Sequence, residues 1–138
     1  MADLNDLHRI ALSFPETTQE EGRIAYAVLH KGKAKGIAWT WMERIDPKKA
    51  RVPNPEVIAI RVRNTLEKEM LIDAQPLKFF TEPHYNGFPA ILVRLAAVDV
   101  DELELLLLNA WRCQAPPALV KSYDQVSIEQ RARLHAAK

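Results

Sequence analysis

At 138 residues, with 48% hydrophobic and 27% charged side chains, the chain has the size and composition of one globular domain that buries a core without disulfides or metal staples. No stretch approaches the ~18 consecutive apolar residues of a membrane span, and "MADLNDLHRIALSF" lacks the basic-then-apolar pattern of a secretory leader, so the expected location is cytoplasmic. The net charge of +1 hides an asymmetry: from Arg23 to Lys68 eleven Lys and Arg face four acidic residues, +7 locally, leaving −6 for the rest.

Taken in chain order, Leu4, Leu7, His8, Ile10, Ala11 and Phe14 recur at helical spacing, with Asp3 placed as N-cap and Pro15 as the stop. "IAYAVLH" (24–30) and "IAWTWMERI" (37–45) are rich in strand formers and read as a hairpin, with "KGKAKG" between them as its turn. "DPKKARVPNPE" has three prolines and no periodicity and reads as a surface loop. "VIAIRVR" (57–63) alternates as a third strand, with Ile58, Ile60 and Val62 on one face and Ala59, Arg61 and Arg63 on the other. "NTLEKEMLIDA" is a short helix capped by Asn64 or Thr65. "KFFTE" and "PAILVRL" are the arms of a second hairpin, and "EPHYNG" is its connection, with Asn86-Gly87 suited to a type I′ turn. "DVDELELLLLNAWRC" is an amphipathic helix ending at Pro116-Pro117, and "SIEQRARLHAAK" a polar last helix or frayed tail. The single Cys113 sits in an apolar run and reads as a reduced, buried thiol.

Together "AWTWMERIDPKKARVPNP" and "FFTEPHYNGFPAILVRL", leading into "DVDELELLLLNAWRCQAP", resemble the MmcQ/YjbR family from about Leu4 to Pro117. The resemblance implies an α+β fold similar in layout to type III secretion chaperones. In it, helices pack mainly on one face of a five-stranded, mostly antiparallel sheet, giving two layers. The same two layers follow from the order α-β-β-β-α-β-β-α read above. Residues 1–117 then form the family-like domain, and 118–138 a C-terminal polar helix or tail of it. Members are often labelled DNA-binding, and the resemblance carries no catalytic residues across. Where many members hold a His-x-Asn-Lys-like turn followed by His-Trp, this chain keeps His84 and Asn86 but has Gly87-Phe88-Pro89.

Two sets of candidate contacts follow. Lys31, Lys33 and Lys35 in the first hairpin, with Lys48, Lys49 and Arg51 in the next loop, suit phosphate neutralisation without base readout. Alternate lysines also serve solubility and block edge pairing. Trp39 and Trp41 share one face of their strand; they read either as core under a helix or as a stacking platform for a base or planar ligand. His84 and Tyr85 at the second connection join them as candidate ligand contacts, although the nearest carboxylate in sequence, Glu82, lies on the same strand.

No His or Cys pair stands at metal-ligand spacing, and no nucleophile elbow, phosphate loop or dinucleotide fingerprint occurs. "DVDELE" reads as the acidic first turn of a helix rather than an iron site. The expectation is therefore a small non-enzymatic binding protein with no metal or cofactor and DNA as its charged partner. Its rivals are a protein-interaction or chaperone-like domain that takes a peptide or a second copy, and a small-molecule binder using Trp39, Trp41, His84 and Tyr85.

Overall fold

The computed structural model describes residues 1–43 and 45–136, with side chains described through 126. Its elements run α1 (Leu4–Ser13), β1 (Thr17–Gln19), β2 (Ala25–His30), β3 (Lys33–Glu43), β4 (Val52–Arg61) and α2 (Thr65–Ala74). Then come β5 (Phe79–Phe80), a 3-10 turn at Pro83–Tyr85, β6 (Ala90–Arg94), a second such turn at Leu95–Ala97, α3 (Val100–Gln114) and α4 (Pro117–Ala136). The strands form one antiparallel sheet in the order β1-β2-β3-β4-β6-β5. This is an α+β fold of six strands rather than five. The extra strand, β1, has three residues, too few for alternation to betray it, and pairs Thr17 with Val28 and Gln19 with Tyr26.

Helix starts follow local chemistry. Asp3 and Asp99 each close a capping box with Asp6 and Glu102, and the Asn64 carboxamide accepts from the Glu67 amide at 2.8 Å. Pro117 opens α4, where a missing N–H is harmless.

Each strand splits its side chains between two faces. Tyr26, Val28, Ile37, Ile58, Ile60, Ile91 and Val93 meet Leu7 and Ile10 of α1, Phe14 just after it, and Leu103, Leu107 and Trp111 of α3 in one buried core. Leu71 and Ile72 of α2 and Leu119, Val120 and Tyr123 of α4 close its margin, so every helix lies on that face. The opposite face carries a smaller cluster of Val57, Ala59 and Leu92 with Trp39, Trp41, Phe80 and Tyr85 packed on it.

Four expectations are corrected. The first hairpin turns at Lys31-Gly32, both at positive φ (51° and 78°), with His30 opposite Lys33. Lys33, Lys35 and Gly36 are therefore strand residues, not turn residues. The expected loop after β3 is half strand: β4 begins at Val52, Pro53 pairs with Met42 near its start, and Pro55 falls where the register slips between Thr40 and Trp41. The "EPHYNG" segment is not a type I′ turn. Asn86 has φ −61° and Gly87 +78°, the signs of a type II turn, closed by the Phe88 amide donating to the Tyr85 carbonyl at 3.0 Å. Finally, Cys113 is exposed. Even so, burial pushes its thiol pKa up; Glu67 adds to that, and Arg63 and Arg61 oppose it. The tail is helical through Ala136, and residues 137–138 lie outside the described part.

Candidate functional site

The six basic candidates do not form one patch. Lys31, Lys33 and Lys35 are exposed at the start of β3; Lys48, Lys49 and Arg51 follow its far end, where Val52 pairs with Glu43. At about 3.3 Å per residue, the eleven residues of β3 hold the two groups roughly 30 Å apart. Asp46 organises the far turn through the amides of Lys48 and Lys49, and Arg51 donates to the Met42 carbonyl at 3.1 Å.

The hairpin end recruits other cations instead. Lys35 and Lys33 pair with Val28 and His30, on the helix-bearing side. There the end of α3 is fastened to the hairpin: His30 Nδ1 lies 2.9 Å from the Gln114 carbonyl, and the Gln114 carboxamide donates to Gly36 at 3.1 Å. Arg112 stands in that last turn, and Arg61 and Arg63 at the end of β4 line the same cleft. Lys121 of α4 lines the adjoining hollow with His30 and Arg112. Sequence reasoning missed these arginines and Lys121, because nothing local links positions some fifty residues apart.

The aromatic candidates do come together, on the helix-free face. One cross-strand row runs Trp39, Ala59, Leu92, Phe80 through paired positions of β3, β4, β6 and β5. Trp41 sits in the next row and meets Phe80 edge-on at 5.7 Å. Both indoles are half-buried, and among the described residues no side chain of α1–α4 packs over them, so the reading of core under a helix is wrong. The face was unassigned because alternation separates two faces without saying which one the helices cover. Trp39 Nε1–H donates to Tyr85 Oη at 3.1 Å, and Phe88 closes over both rings at 6.2–6.3 Å. Guanidinium groups stack here, Arg94 over Phe80 at 4.0 Å and Arg61 over Phe88 at 5.5 Å. Trp41 Nε1 is shielded with no hydrogen-bond partner among the described residues. His84 is exposed beside Tyr85 at 5.9 Å, and no carboxylate reaches it among the described residues.

The 81–89 connection is held from beneath by one residue that the sequence did not mark. Lys68 of α2 is buried, and its ammonium donates to the carbonyls of Tyr85 at 2.6 Å and Phe88 at 2.9 Å. Burial without a carboxylate pulls its pKa below the usual 10.5. Lys68→Met is expected to cost about 2 kcal/mol, because two charge-assisted bonds are lost while a desolvated charge is relieved. The sign with pH follows. In the window just below the pKa of free lysine, the unfolded chain holds the proton that the folded one has released. Stability of the wild type relative to Lys68→Met therefore rises with pH through that window. Tyr26, raised by burial, works in the opposite direction above its ordinary value and cancels in this comparison. Urea melts of both proteins at several alkaline pH values check it; a constant difference would show that Lys68 is not the group responsible.

Among the described residues no group of His, Cys, Asp and Glu is arranged to hold a metal, and no helix is long and apolar enough to cross a membrane.

No family model matches the chain. It is similar to the uncharacterised proteins Rv2570 of Mycobacterium tuberculosis (strain H37Rv) and Mb2600 of Mycobacterium bovis, 33% identical to each over 132 residues. Those alignments cover 89% of this chain and 96% of each relative. Among solved structures it resembles Deinococcus radiodurans protein DR2400, a DUF419 domain, with a TM-score of 0.58, 20% identity, and coverage of 80% of this chain and 77% of that one. At that identity the likeness speaks for the fold alone.

Proposed function

The chain belongs to the family of the mycobacterial proteins Rv2570 and Mb2600, and we propose that it is a small non-enzymatic binding protein of the MmcQ/YjbR type that contacts nucleic-acid phosphates without reading bases. The family assignment to MmcQ/YjbR is supported by the DUF419 neighbour, whose domain family is related to it. The observation that carries the binding reading is the convergence of cations at one end. Lys31, Lys33 and Lys35 lie on the hairpin to which the end of α3 is fastened, and Arg63, Arg112 and Lys121 line the clefts at that end, although the chain as a whole is near neutral. Exposed lysines on a hairpin neutralise phosphates and release counterions, which makes binding steeply salt-dependent.

Fluorescence anisotropy with a labelled random-sequence duplex, titrated at low and at physiological salt, tests the reading. Affinity that falls steeply with salt is the expected result. No binding at low salt would discard it, and salt-insensitive self-association would point to the peptide or second-copy alternative.

A second reading has its own observation, a hollow of about 300 Å³ beside Trp39. Ala25, Ala27, Ala34 and Gly36 form its floor, Arg23 and Glu20 its far wall, and the Trp39 indole lies within 3.3 Å of where a Gly36 Cβ would stand. A planar ligand stacked there would quench indole emission. Trp39→Ala should then weaken it by about 5- to 150-fold, the range of one lost stacking contact. Equal affinity in that variant would remove this site from consideration.

A further inference from the structure

The cleft between the end of β4 and the last turn of α3 is built for an anion smaller than a duplex. It holds about 470 Å³ and is walled by Arg61 and Arg63 on one side and by Asn109 and Arg112 on the other. We propose that this cleft binds a phosphate group carrying two negative charges, as at the end of a phosphomonoester. The assignment goes beyond backbone contact and holds whether or not a duplex binds the hairpin.

Three features argue for it. Arg61 ends β4 and Arg63 lies just beyond it, and both line the cleft opposite Arg112, although the Arg61 guanidinium also stacks over Phe88 at 5.5 Å. Neither has a carboxylate partner among the described residues, and Arg61 Nε is shielded with no hydrogen-bond acceptor. Their planar forks match phosphate oxygens in pairs, which lysine does not do. Arg112 is different: Asp124 holds it at 2.6 Å, which fixes the guanidinium in place at the cost of part of its charge. Glu67, in the first turn of α2, also lines the cleft and opposes an anion, but no ion pair joins it to these arginines among the described residues. The balance of three guanidinium groups against Glu67 and Asp124 is still positive, and exposed Lys33 and Lys35 stand on the same side of the sheet. A backbone diester has one charge and is flanked by sugar on both sides. A monoester has three free oxygens, carries close to two charges above its second pKa near ~6, and enters a cleft end-on.

Cys113 lines the same cleft, is exposed, and is the only cysteine in the chain, so its alkylation reports occupancy. The full chain would be treated with iodoacetamide at pH 8 and constant ionic strength, with inorganic phosphate exchanged for chloride. Phosphate is expected to slow alkylation saturably by about fivefold or more, by shielding the thiol and disfavouring its thiolate. Arg63→Gln, at an exposed position, should weaken that protection about tenfold, the size of one lost charge-assisted bond. Arg112→Gln is the second variant should the first misfold by circular dichroism. Equal rates in phosphate and chloride, or full protection in both variants, would overturn the assignment. A free nucleoside 5′-monophosphate and a pair of oligonucleotides with 5′-phosphate or 5′-hydroxyl ends then separate the sources. Protection by the mononucleotide supports a small phosphomonoester, and protection by the phosphorylated strand alone supports a strand end. Equal protection by both strands would mean general polyanion screening and would also overturn it.

Discussion

Trp111→Ala is expected to cost about 3–5 kcal/mol, the range for removing a large aromatic from a packed interior. The side chain is fully buried on α3 and stacks on Phe14, the residue that ends α1, with ring centroids 5.9 Å apart. On its other side it meets Tyr123 of α4 at 5.0 Å, and its Nε1–H donates to the Pro15 carbonyl at 3.0 Å. One residue thus ties the end of α1, the connection into β1 and the start of α4 to the central helix. Domains of this kind have about 5–15 kcal/mol in total, so the variant should stand near its folding limit at 37 °C. Trp111→Phe keeps most of the packing and leaves the Pro15 carbonyl without its donor, for about 1–2 kcal/mol. Urea unfolding of the three proteins checks the order; a loss below ~1 kcal/mol for the alanine variant would mean that neighbours collapse into the space.

Lys31→Glu/Lys33→Glu/Lys35→Glu is expected to lower affinity for random-sequence duplex by about 10²–10³-fold at 0.1 M salt. Each phosphate contact releases just under one counterion, so three lost contacts also reduce the slope of log K against log salt by about 2.7. The decisive comparison is Lys48→Glu/Lys49→Glu. Both of those lysines are exposed, but they sit beyond the far end of β3. Affinity near that of the wild type is expected there, because roughly 30 Å exceeds the ~10 Å screening length at this salt. Equal losses in the two variants would show that net charge alone governs binding and would remove the hairpin end as a site.

Legibility followed the range of the interaction. Asp3, Asn64 and Asp99 were readable as caps because a cap bonds within three residues of itself. The alternation of Ile58 and Ile60 against Ala59 was equally plain, since it is a property of consecutive positions. Gly32 and Gly36 both allow a tight turn, and only pairing of His30 with Lys33 selects the first. Pro53 and Pro55 argue for a loop until β3 lies beside them, with Pro53 paired near the strand's start and a register slip taking Pro55. That Trp39 and Trp41 share one face was readable, but which layer covers that face was not.

By itself, then, the sequence determined the first three helices and their starts, the antiparallel α+β class, and the two faces of the strands it could show, but not β1, the first half of β4 or the start of α4. All of these are set by propensities and spacings within one turn or one strand. The tertiary structure alone decided which face the helices cover, that Lys68 anchors the 81–89 connection, and that Lys48 and Lys49 part from Lys31, Lys33 and Lys35. It also decided that Arg61 and Arg63 face Arg112 across a cleft. Those outcomes depend on packing between segments some tens of residues apart, where a side chain's neighbours are chosen by the buried core rather than by its own place in the chain.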